Sequence, residues 1–272
     1  MEYPLLSLEL AREIELAEAE AAVACAERLV VAHGYGAGAV VSVAGGYAVY
    51  CGANSPVTQA VGLGLNGAVS KEEFDQLEEF YFRRKEPVRV ETCPMADGSL
   101  IEQYRERGYH VSEFSNVVVR PVEKSADALP AGIEIQKVEV GEIDLWTLTV
   151  AQGFAEHFPV TQEILSVMRL FADGKNTECY FARVDGKIAG GGATLALRGR
   201  IAGLFGASTL PQFRNRGVQT ALLRARMQRA EEQGCELAMS LALPGSVSQR
   251  NITRRGFRTL YTRVKFEREL PS

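Results

Sequence analysis

The sequence predicts an α+β fold made of two tandem copies, each a mixed, mostly antiparallel sheet flanked by helices. The first observation is the element order of the second half: two helices, an antiparallel meander, a helix, a strand, a short helix and closing strands. The second is the same Arg-Gly-aromatic pattern after the short helix of each half, Arg107-Gly108-Tyr109 and Arg255-Gly256-Phe257. The third is a polar stretch with prolines near both ends, from Pro121 to Gly132. We therefore predict two domains, residues 1–122 and residues 131–272.

A long helix is predicted to open the first half. Apolar residues recur at helical spacing from Leu10 through Ile14 and Ala17, and the glycines that begin at Gly34 end the helix near residue 32. The other elements predicted in this half are a hairpin over residues 39–51, a strand over 59–69, a helix over 71–84 with a capping box at Ser70 and Glu73, a strand over 87–93, a helix over 99–107 and a strand over 110–119.

The second half is predicted to place a hairpin turn at Asp185-Gly186. Its helix over residues 218–233 carries Val218, Ala221 and Leu222 on one apolar stripe. The remaining predictions are a strand over 133–138, helices over 142–154 and 161–172, strands over 179–184, 187–197 and 201–209, a strand over 235–243, a short helix over 248–254 and final strands around 259–267.

The composition favours a water-soluble protein of the cytoplasm. Hydrophobic residues make up 46% and charged residues 24% of the 272-residue chain, and the formal charge of −4 gives no basic field for nucleic acid. No apolar run is long enough to cross a bilayer, and the acidic start lacks the pattern of a signal peptide. The five cysteines are scattered without metal-ligand spacing, which favours buried, reduced thiols and predicts no metal site.

The stretch from Thr209 to Leu223 has the chemistry of a phosphate-binding helix start. A strand ends and a helix begins there without an acidic residue, so the free N–H groups and the dipole of the helix favour an anion. Arg214 and Arg216 add positive charge, and Gly217 permits a close approach of the backbone to a ligand. The helix continues with Arg224, Arg226 and Arg229. These arginines are expected to extend the positive field, without a counter-charge in the same helix.

This stretch resembles the coenzyme A motif of the GNAT acetyltransferases, P-x-x-R-x-x-G-x-(Gly/Ala). Pro211, Arg214 and Gly217 stand at the matching positions, and Gln219 departs from the pattern. The element order of residues 133–268 also resembles the GNAT fold. The resemblance implies that acetyl-CoA is the cofactor and that the first-half copy, which lacks the motif, is degenerate. The residues it implies as cofactor-binding are the strand end Ala207, Ser208, Thr209 and Leu210, the pyrophosphate-binding Arg214, Asn215, Arg216, Gly217, Val218, Gln219 and Thr220, and the short-helix residues Ser248 and Asn251, for which helix capping is the alternative.

The catalytic residues are less well marked. Many GNAT members carry a carboxylate on the fourth strand, but residues 201–209 contain none, and Ile252 stands where relatives often have a tyrosine acid. Glu156 and His157, in the loop between the first two helices of the second half, are the candidates for a base, since that loop usually borders the acceptor pocket. Tyr261 is the candidate for an acid. A surface role for His157 and a packing role for Tyr261 remain open alternatives.

We call the phosphate-binding helix start at residues 209–223 the cradle. The first half lacks a cradle, because its equivalent junction, Gly67 to Asp75, contains three carboxylates that would repel a pyrophosphate. We therefore expect one cofactor per chain. The leading hypothesis is an N-acetyltransferase acting on a small-molecule amine or an aminoacyl-type acceptor. The alternatives are a non-catalytic acyl-CoA sensor and, less favoured, a nucleic-acid binder using the arginines of residues 214–229. Neither a nucleic acid nor a membrane is expected as a partner, and the chain is expected to be a monomer or a homodimer.

Overall fold

The chain folds into two compact units. The computed structural model describes residues 2–123, 130–155, 160–174, 177–196 and 199–271. One unit consists of Met1–Tyr3 and Arg120–Ser240, and the other of Pro4–Val119 and Leu241–Ser272. We call them the cradle unit and the paired-termini unit. The segment after residue 240 thus groups with the first half, whereas the sequence assigned it to a second-half domain of residues 131–272.

Helices and strands follow one another in the predicted order. The described helices are α1 (Leu8–His33), α2 (Lys71–Phe82), α3 (Ser99–Arg107), α4 (Ile143–Phe154), α5 (Gln162–Ala172), α6 (Val218–Glu232) and α7 (Val247–Thr253). The described strands are β1 (Ala39–Val43), β2 (Gly46–Tyr50), β3 (Gln59–Val61), β4 (Val88–Thr92), β5 (His110–Pro121), β6 (Ile133–Lys137), β7 (Thr177–Val184), β8 (Lys187–Ala196), β9 (Ile201–Thr209), β10 (Leu237–Ala242) and β11 (Arg258–Arg268). The predicted α+β class is confirmed. No helix in the described ranges is long and apolar enough to cross a bilayer.

Several boundaries differ from the sequence prediction. The predicted strand over residues 59–69 is only three residues long, because the backbone turns through the left-handed region at Gly62 and Gly64. The closing segment of the chain is one strand, β11, rather than several. The predicted capping box at Ser70 and Glu73 is confirmed.

The cradle unit is a mixed sheet covered on both faces. Its strand order is β10-β9-β8-β7-β6, with antiparallel pairs except for the parallel pair of β9 and β10. On one face, α4 packs through the fully buried Trp146 and Val150 against Phe181. On the other, α6 packs through Val218 and Leu222. The two helical layers leave the N-terminal end of α6 beside the end of β9.

The paired-termini unit has the strand order β1-β2-β3-β4-β11-β5. Strand β11 lies between β4 and β5 and is antiparallel to both, with Val264 opposite Thr92 on one side and Phe114 on the other. Helices α2 and α3 pack on this sheet through an apolar core that includes Phe74 and Tyr104. Because β11 fills the middle of this sheet, the C-terminal segment is part of the core of the first half.

Candidate functional site

Strands β9 and β10 run together only at their beginnings. Their parallel pairing joins residues 201–203 to residues 237–239. One residue further on, the contact is made by a side chain, since Ser240 Oγ donates to the carbonyl of Leu204 at 2.8 Å. From Phe205 to Thr209, β9 has no ladder partner on β10. The second half of β9 therefore offers one backbone edge to a ligand.

The loop after β9 leads into α6 through a tight, irregular path. Residues Pro211–Phe213 form a 3-10 turn, Asn215 has a φ of 60°, and Gly217 caps α6 with a φ of 86°. No side chain of the described residues caps the helix, and its first turn carries no acidic residue. In the same part of the chain, the N–H groups of residues 215–219 donate to no backbone acceptor. Unpaired N–H groups at the positive end of a helix dipole favour the binding of an anion.

Gly217 is required for its backbone conformation. A Cβ atom at this position would lie 3.5 Å from Ile133 Cδ1 and from Pro130 Cβ, which is an ordinary contact with the protein. The protein itself therefore leaves space for a side chain at this position, and the close approach of a ligand to the Gly217 backbone stays a prediction. The glycine is needed because a φ of 86° is strained for any residue with a Cβ.

The corresponding helix start in the paired-termini unit is capped from within. The Ser70 hydroxyl accepts from the N–H of Glu73 at 3.2 Å, and the Glu73 carboxylate accepts from the N–H of Ser70 at 2.9 Å. Glu72 and Glu73 lie in the first turn of α2. This helix start has a negative field and occupied donors, in contrast to α6.

The arginines of the cradle have different roles from those expected. Arg216 is half-exposed and pairs with Asp185 at 3.0 Å, and Arg214 donates to the carbonyl of Gly153 at 3.4 Å. Arg229 pairs with Glu178 at 2.7 Å and with Glu232 of the same helix at 3.3 Å. The expectation of no counter-charge within the helix is therefore wrong, because helix neighbours three residues apart meet.

Arg226 is buried rather than part of a surface field. Its Nε donates to the carbonyl of Leu222 at 3.1 Å, and its Nη1 donates to the carbonyls of Ala193 and Phe205, each at 3.3 Å. Burial lowers the pKa of Arg226 to about 10. The guanidinium therefore stays charged at neutral pH and is held by backbone oxygens. The sequence offered one signal for this arrangement, the run Gly190-Gly191-Gly192, which lets a large side chain approach β8.

The predicted strand-end residues lie together at the end of β9. Ser208 is buried and its hydroxyl donates to the carbonyl of Val150 at 2.9 Å, so its side chain serves the packing of α4. The N–H of Leu210 donates to the carbonyl of Ala189 at 2.9 Å. By contrast, Thr209 Oγ1 is buried without a hydrogen-bond partner in the described residues. Ala207 is half-buried.

The other predicted site residues lie outside the cradle unit or outside the described residues. Ser248 and Asn251 are exposed on α7 of the paired-termini unit, and their role in cofactor binding stays a prediction. Neither residue caps α7, because its cap is Ser246, which accepts from the N–H of Gln249 at 3.0 Å. Glu156 and His157 lie outside the described residues.

Tyr261 belongs to a buried polar cluster in the paired-termini unit. Its hydroxyl donates to Glu15 Oε1 at 2.7 Å, and Arg263 Nε donates to the same oxygen at 2.8 Å. Burial and the neighbouring Glu15 carboxylate raise the pKa of Tyr261 far above its usual range. The alternative of a structural role for Tyr261 accounts for these contacts.

The residues present fit a coenzyme A pyrophosphate and pantetheine arm. Three features follow one another along the chain, namely the edge of β9 that β10 does not pair, the buried Thr209 hydroxyl without a partner in the described residues, and the unpaired N–H groups of residues 215–219. In the described residues, no group of three or more His, Cys, Asp or Glu side chains could hold a metal ion. These groups therefore suit one ligand that has an anionic group at one end and an extended polar chain attached to it.

Solved structures share this fold. A GCN5-related N-acetyltransferase from Kribbella flavida matches with a TM-score of 0.65 and 16% identity, over 91% of this chain and 94% of that chain. A tandem GNAT protein from the clavulanic acid biosynthesis pathway matches with a TM-score of 0.61 and 14% identity, over 100% of this chain and 99% of that one. A GCN5-related N-acetyltransferase from Sphaerobacter thermophilus matches with a TM-score of 0.53 and 18% identity, over 69% and 61%. At these identities the likeness concerns the fold.

No curated protein matches the chain by sequence. The stretch from residue 145 to residue 257, which runs from α4 through the cradle to the end of α7, matches the model of the acetyltransferase (GNAT) family. The whole chain has the fold of a tandem GNAT protein, and residues 145–257 within it are similar to the GNAT acetyltransferase family.

Proposed function

We propose that this protein is an acetyl-CoA-dependent N-acetyltransferase that acts on the amine of a small molecule or an aminoacyl-type acceptor. The observation that carries the proposal is the start of α6, where, among the described residues, the N–H groups of residues 215–219 have no backbone acceptor and no side chain caps the helix. A pyrophosphate is an anion that such a row of donors binds well. The match of residues 145–257 to the model of an acetyltransferase family supports acetyl-CoA as the donor.

The roles of the chain's own groups follow from their positions. The amides of residues 215–219 hold the pyrophosphate, and the backbone edge from Phe205 to Thr209 binds the extended arm of the cofactor. Acetyl-CoA supplies an activated thioester, so that the acetyl group forms an amide with the acceptor nitrogen while a proton replaces it on sulfur. Since the start of α2 is capped by Ser70, we propose that each chain binds one cofactor.

The acceptor amine must be neutral to attack. An aliphatic amine has a pKa of about 10, so a base is needed at neutral pH. We propose Glu156 and His157 for this role, on the basis of their position in the loop between α4 and α5. Replacing His157 with Gln should lower kcat. It should also remove the fall in kcat below about pH 6 to 7 that protonation of the base causes. An unchanged pH–rate profile would exclude His157 as the base.

A non-catalytic acyl-CoA sensor is the second candidate. Two observations favour it: β9 carries no carboxylate, and the hydroxyl of Tyr261 is occupied by Glu15. Thiol release separates the two functions. Release of free CoA with acetyl-CoA and a panel of amines supports the enzyme, whereas tight binding without release across the panel supports the sensor.

The cradle assignment has a matched test at the two ends of α6. Gly217 and Gly234 flank this helix with similar positive φ values of 86° and 74°, and a Cβ atom at Gly234 would have nothing within 4 Å. Alanine at either position should cost about 1–2 kcal/mol of stability, since both positions are left-handed. Only Gly217→Ala should also weaken CoA binding, by about tenfold or more, because only there does the strain displace phosphate-binding amides.

Isothermal titration calorimetry measures the affinity of each variant for CoA. Urea unfolding measures the loss of stability that both variants are expected to share. If CoA bound equally well to Gly217→Ala, Gly234→Ala and the unaltered chain, the cradle would lie elsewhere and the proposal would fail.

A further inference from the structure

Strand β1 lies at an edge of the sheet in the paired-termini unit. Among the described strands its one partner is β2, which runs antiparallel to it. Its sequence, Ala39-Val40-Val41-Ser42-Val43, contains no charged residue and no proline. The edge strand of the cradle unit, β6, differs, since its Glu134 and Lys137 are charged. Free edge strands are usually protected by charges, prolines or bulges, so the unprotected β1 is suited to pairing with another strand.

The hairpin of β1 and β2 fixes which backbone groups of β1 point outward. The two strands are joined by a two-residue turn, Ala44-Gly45, whose φ values of 51° and 79° are both positive. In such a hairpin the residues that flank the turn, Val43 and Gly46, exchange hydrogen bonds, and so does every second pair along the ladder. The N–H and C=O groups of the intervening residues, Val40 and Ser42, therefore point away from β2.

A contact of β2 supports this pattern. Val49 lies opposite Val40, and its N–H donates to the Tyr81 hydroxyl at 3.1 Å, while its carbonyl accepts from the same hydroxyl at 3.3 Å. Neither group of Val49 is directed at β1, as expected for a pair that exchanges no hydrogen bond. The edge of β1 thus presents the N–H and C=O groups of Val40 and Ser42 to a further strand.

These groups are arranged symmetrically about Val41. When a second copy of β1 runs antiparallel with Val41 opposite its own counterpart, Val40 of each copy lies opposite Ser42 of the other. Both of these pairs then exchange hydrogen bonds, so every outward backbone group of Val40 and Ser42 is used. A strand therefore finds a complementary partner in its own copy, which is the requirement of an interface with twofold symmetry.

The surface beside the edge is also self-complementary. A cavity of about 410 Å³ lies between β1 and α2, and its lining combines apolar groups with charges of both signs. The lining residues are Val41, Gln76, Glu79, Phe80, Arg83 and Arg84. A surface of one sign would repel its copy across a twofold axis, whereas here a carboxylate and two guanidinium groups lie around the central Val41. Val31 and Tyr35, shortly before β1 in the chain, add fully or almost fully exposed apolar side chains.

We propose that the edge of β1 is a dimer interface, which binds a second copy of this chain in the antiparallel register centred on Val41. Two features favour a second copy over a strand of another protein. The register about Val41 uses every outward backbone group of Val40 and Ser42, and the charges of the cavity lining complement those of their own copy.

Cysteine cross-linking tests the register. Opposite residues of a pair without hydrogen bonds have Cα atoms about 4.5 Å apart, which is within the range of a disulfide. We expect oxidised glutathione to link two chains of Val41→Cys. In the same register two copies of residue 42 lie about 8 Å apart, so Ser42→Cys, the matched control, should not link. The five native cysteines are buried. Equal linking of both variants, or of neither, would overturn the register.

Sedimentation equilibrium tests the hydrogen bonds of the edge. Ser42→Pro removes an outward N–H and leaves the bonds between β1 and β2 in place, whereas Ser42→Ala keeps that N–H. We expect the unaltered chain and Ser42→Ala to associate as pairs at micromolar concentration. The Kd of Ser42→Pro for dimerisation should be at least about tenfold higher, since the symmetric interface loses two hydrogen bonds. Circular dichroism checks the fold of each variant.

Two results would overturn the proposal. One is an unaltered chain that still sediments as a single chain at about 100 μM, which would leave the edge vacant or reserved for the strand of another protein. The other is an equal Kd for dimerisation in Ser42→Pro and Ser42→Ala, which would place the interface elsewhere. If Ser42→Pro fails to fold, Ser42→Lys replaces it, because a lysine on an edge strand opposes pairing and keeps the backbone N–H.

Discussion

Glu178 joins three elements of the cradle unit at the level of single side chains. It lies on β7 and accepts from the Tyr180 hydroxyl at 2.8 Å and from Arg229 Nη2 of α6 at 2.7 Å, and Lys137 of β6 lies 3.1 Å away. Burial acts to raise the pKa of Glu178, but the hydrogen bonds from Tyr180, Arg229 and Lys137 outweigh it and hold the pKa below the ordinary value of 4.5. This carboxylate therefore holds the last turn of α6, the helix whose start is the proposed cradle.

The contacts of Glu178 should make the free energy of unfolding depend on pH. Because the folded pKa of Glu178 is below its unfolded value, the stabilising contribution is present above pH about 4.5 and is lost as pH falls through the folded pKa. Replacing Glu178 with Gln should lower the free energy of unfolding by about 1 kcal/mol at pH 7, and the difference should shrink in acid. Urea unfolding from neutral pH to pH about 3 measures it. Glu134→Gln, at an exposed site on β6, is the control; a Glu178 effect that does not change with pH would contradict the assignment.

At the scale of elements, α4 and β9 are held unusually close by a glycine. A Cβ atom on Gly153 would lie 2.2 Å from Ser208 Oγ and 2.5 Å from Ser208 Cβ. The Ser208 hydroxyl donates to the carbonyl of Val150, which fixes the distance between the helix and the strand. The part of β9 that faces this contact leads directly into the cradle.

Gly153→Ala should therefore lower the free energy of unfolding by about 1–3 kcal/mol, the usual cost of overpacking. The matched control is Gly141→Ala, where a Cβ atom would have nothing within 4 Å. Ser208→Gly removes the atoms that clash, so the double variant Gly153→Ala with Ser208→Gly should lose less stability than the sum of the single variants. Thermal unfolding of the four proteins tests the coupling, and strictly additive losses would show that the two residues do not compete for space.

The largest-scale feature is the division of the sequence between the two compact units. Strand β11 pairs with β4 through residues 264–268 and with β5 through residues 258–267, so both of its edges are occupied within the paired-termini unit. Inside this unit, Arg263 is fully buried between Glu15 and Glu18 of α1. The first half of the chain therefore depends on a strand that lies more than 130 residues further along the sequence.

Fragments of the chain should show this dependence. Residues 1–122 alone lack the strand between β4 and β5 and leave Glu15 buried without its cation, so we expect no cooperative unfolding transition. A fusion of residues 4–119 to residues 241–272 through a flexible Gly/Ser linker restores both and should unfold cooperatively in urea. The same fusion with Arg263→Met tests the buried pair. Cooperative unfolding of residues 1–122 by themselves would show that β11 is dispensable.

Much of the local structure could be predicted from the sequence. The capping box at Ser70, the turn at Asp185-Gly186 and the abrupt start of α6 depend on residues a few positions apart, and the structure has all three. The acid-free helix start on which the cradle proposal rests was also predictable, since it depends only on a strand end, a glycine and the absence of acidic residues within a few positions.

Only the tertiary structure decided which partners the distant residues meet. Tyr261, a candidate acid by sequence, donates to Glu15, 246 residues away, and Arg226, expected at the surface, binds Phe205 from across a helix–sheet interface. The Ser208 hydroxyl donates to the carbonyl of Val150 on α4, and β11 completes the sheet of the first half of the chain. The reason is physical: caps and turns are settled by neighbouring backbone groups, whereas burial and hydrogen bonding between distant side chains depend on which faces the folded chain brings together.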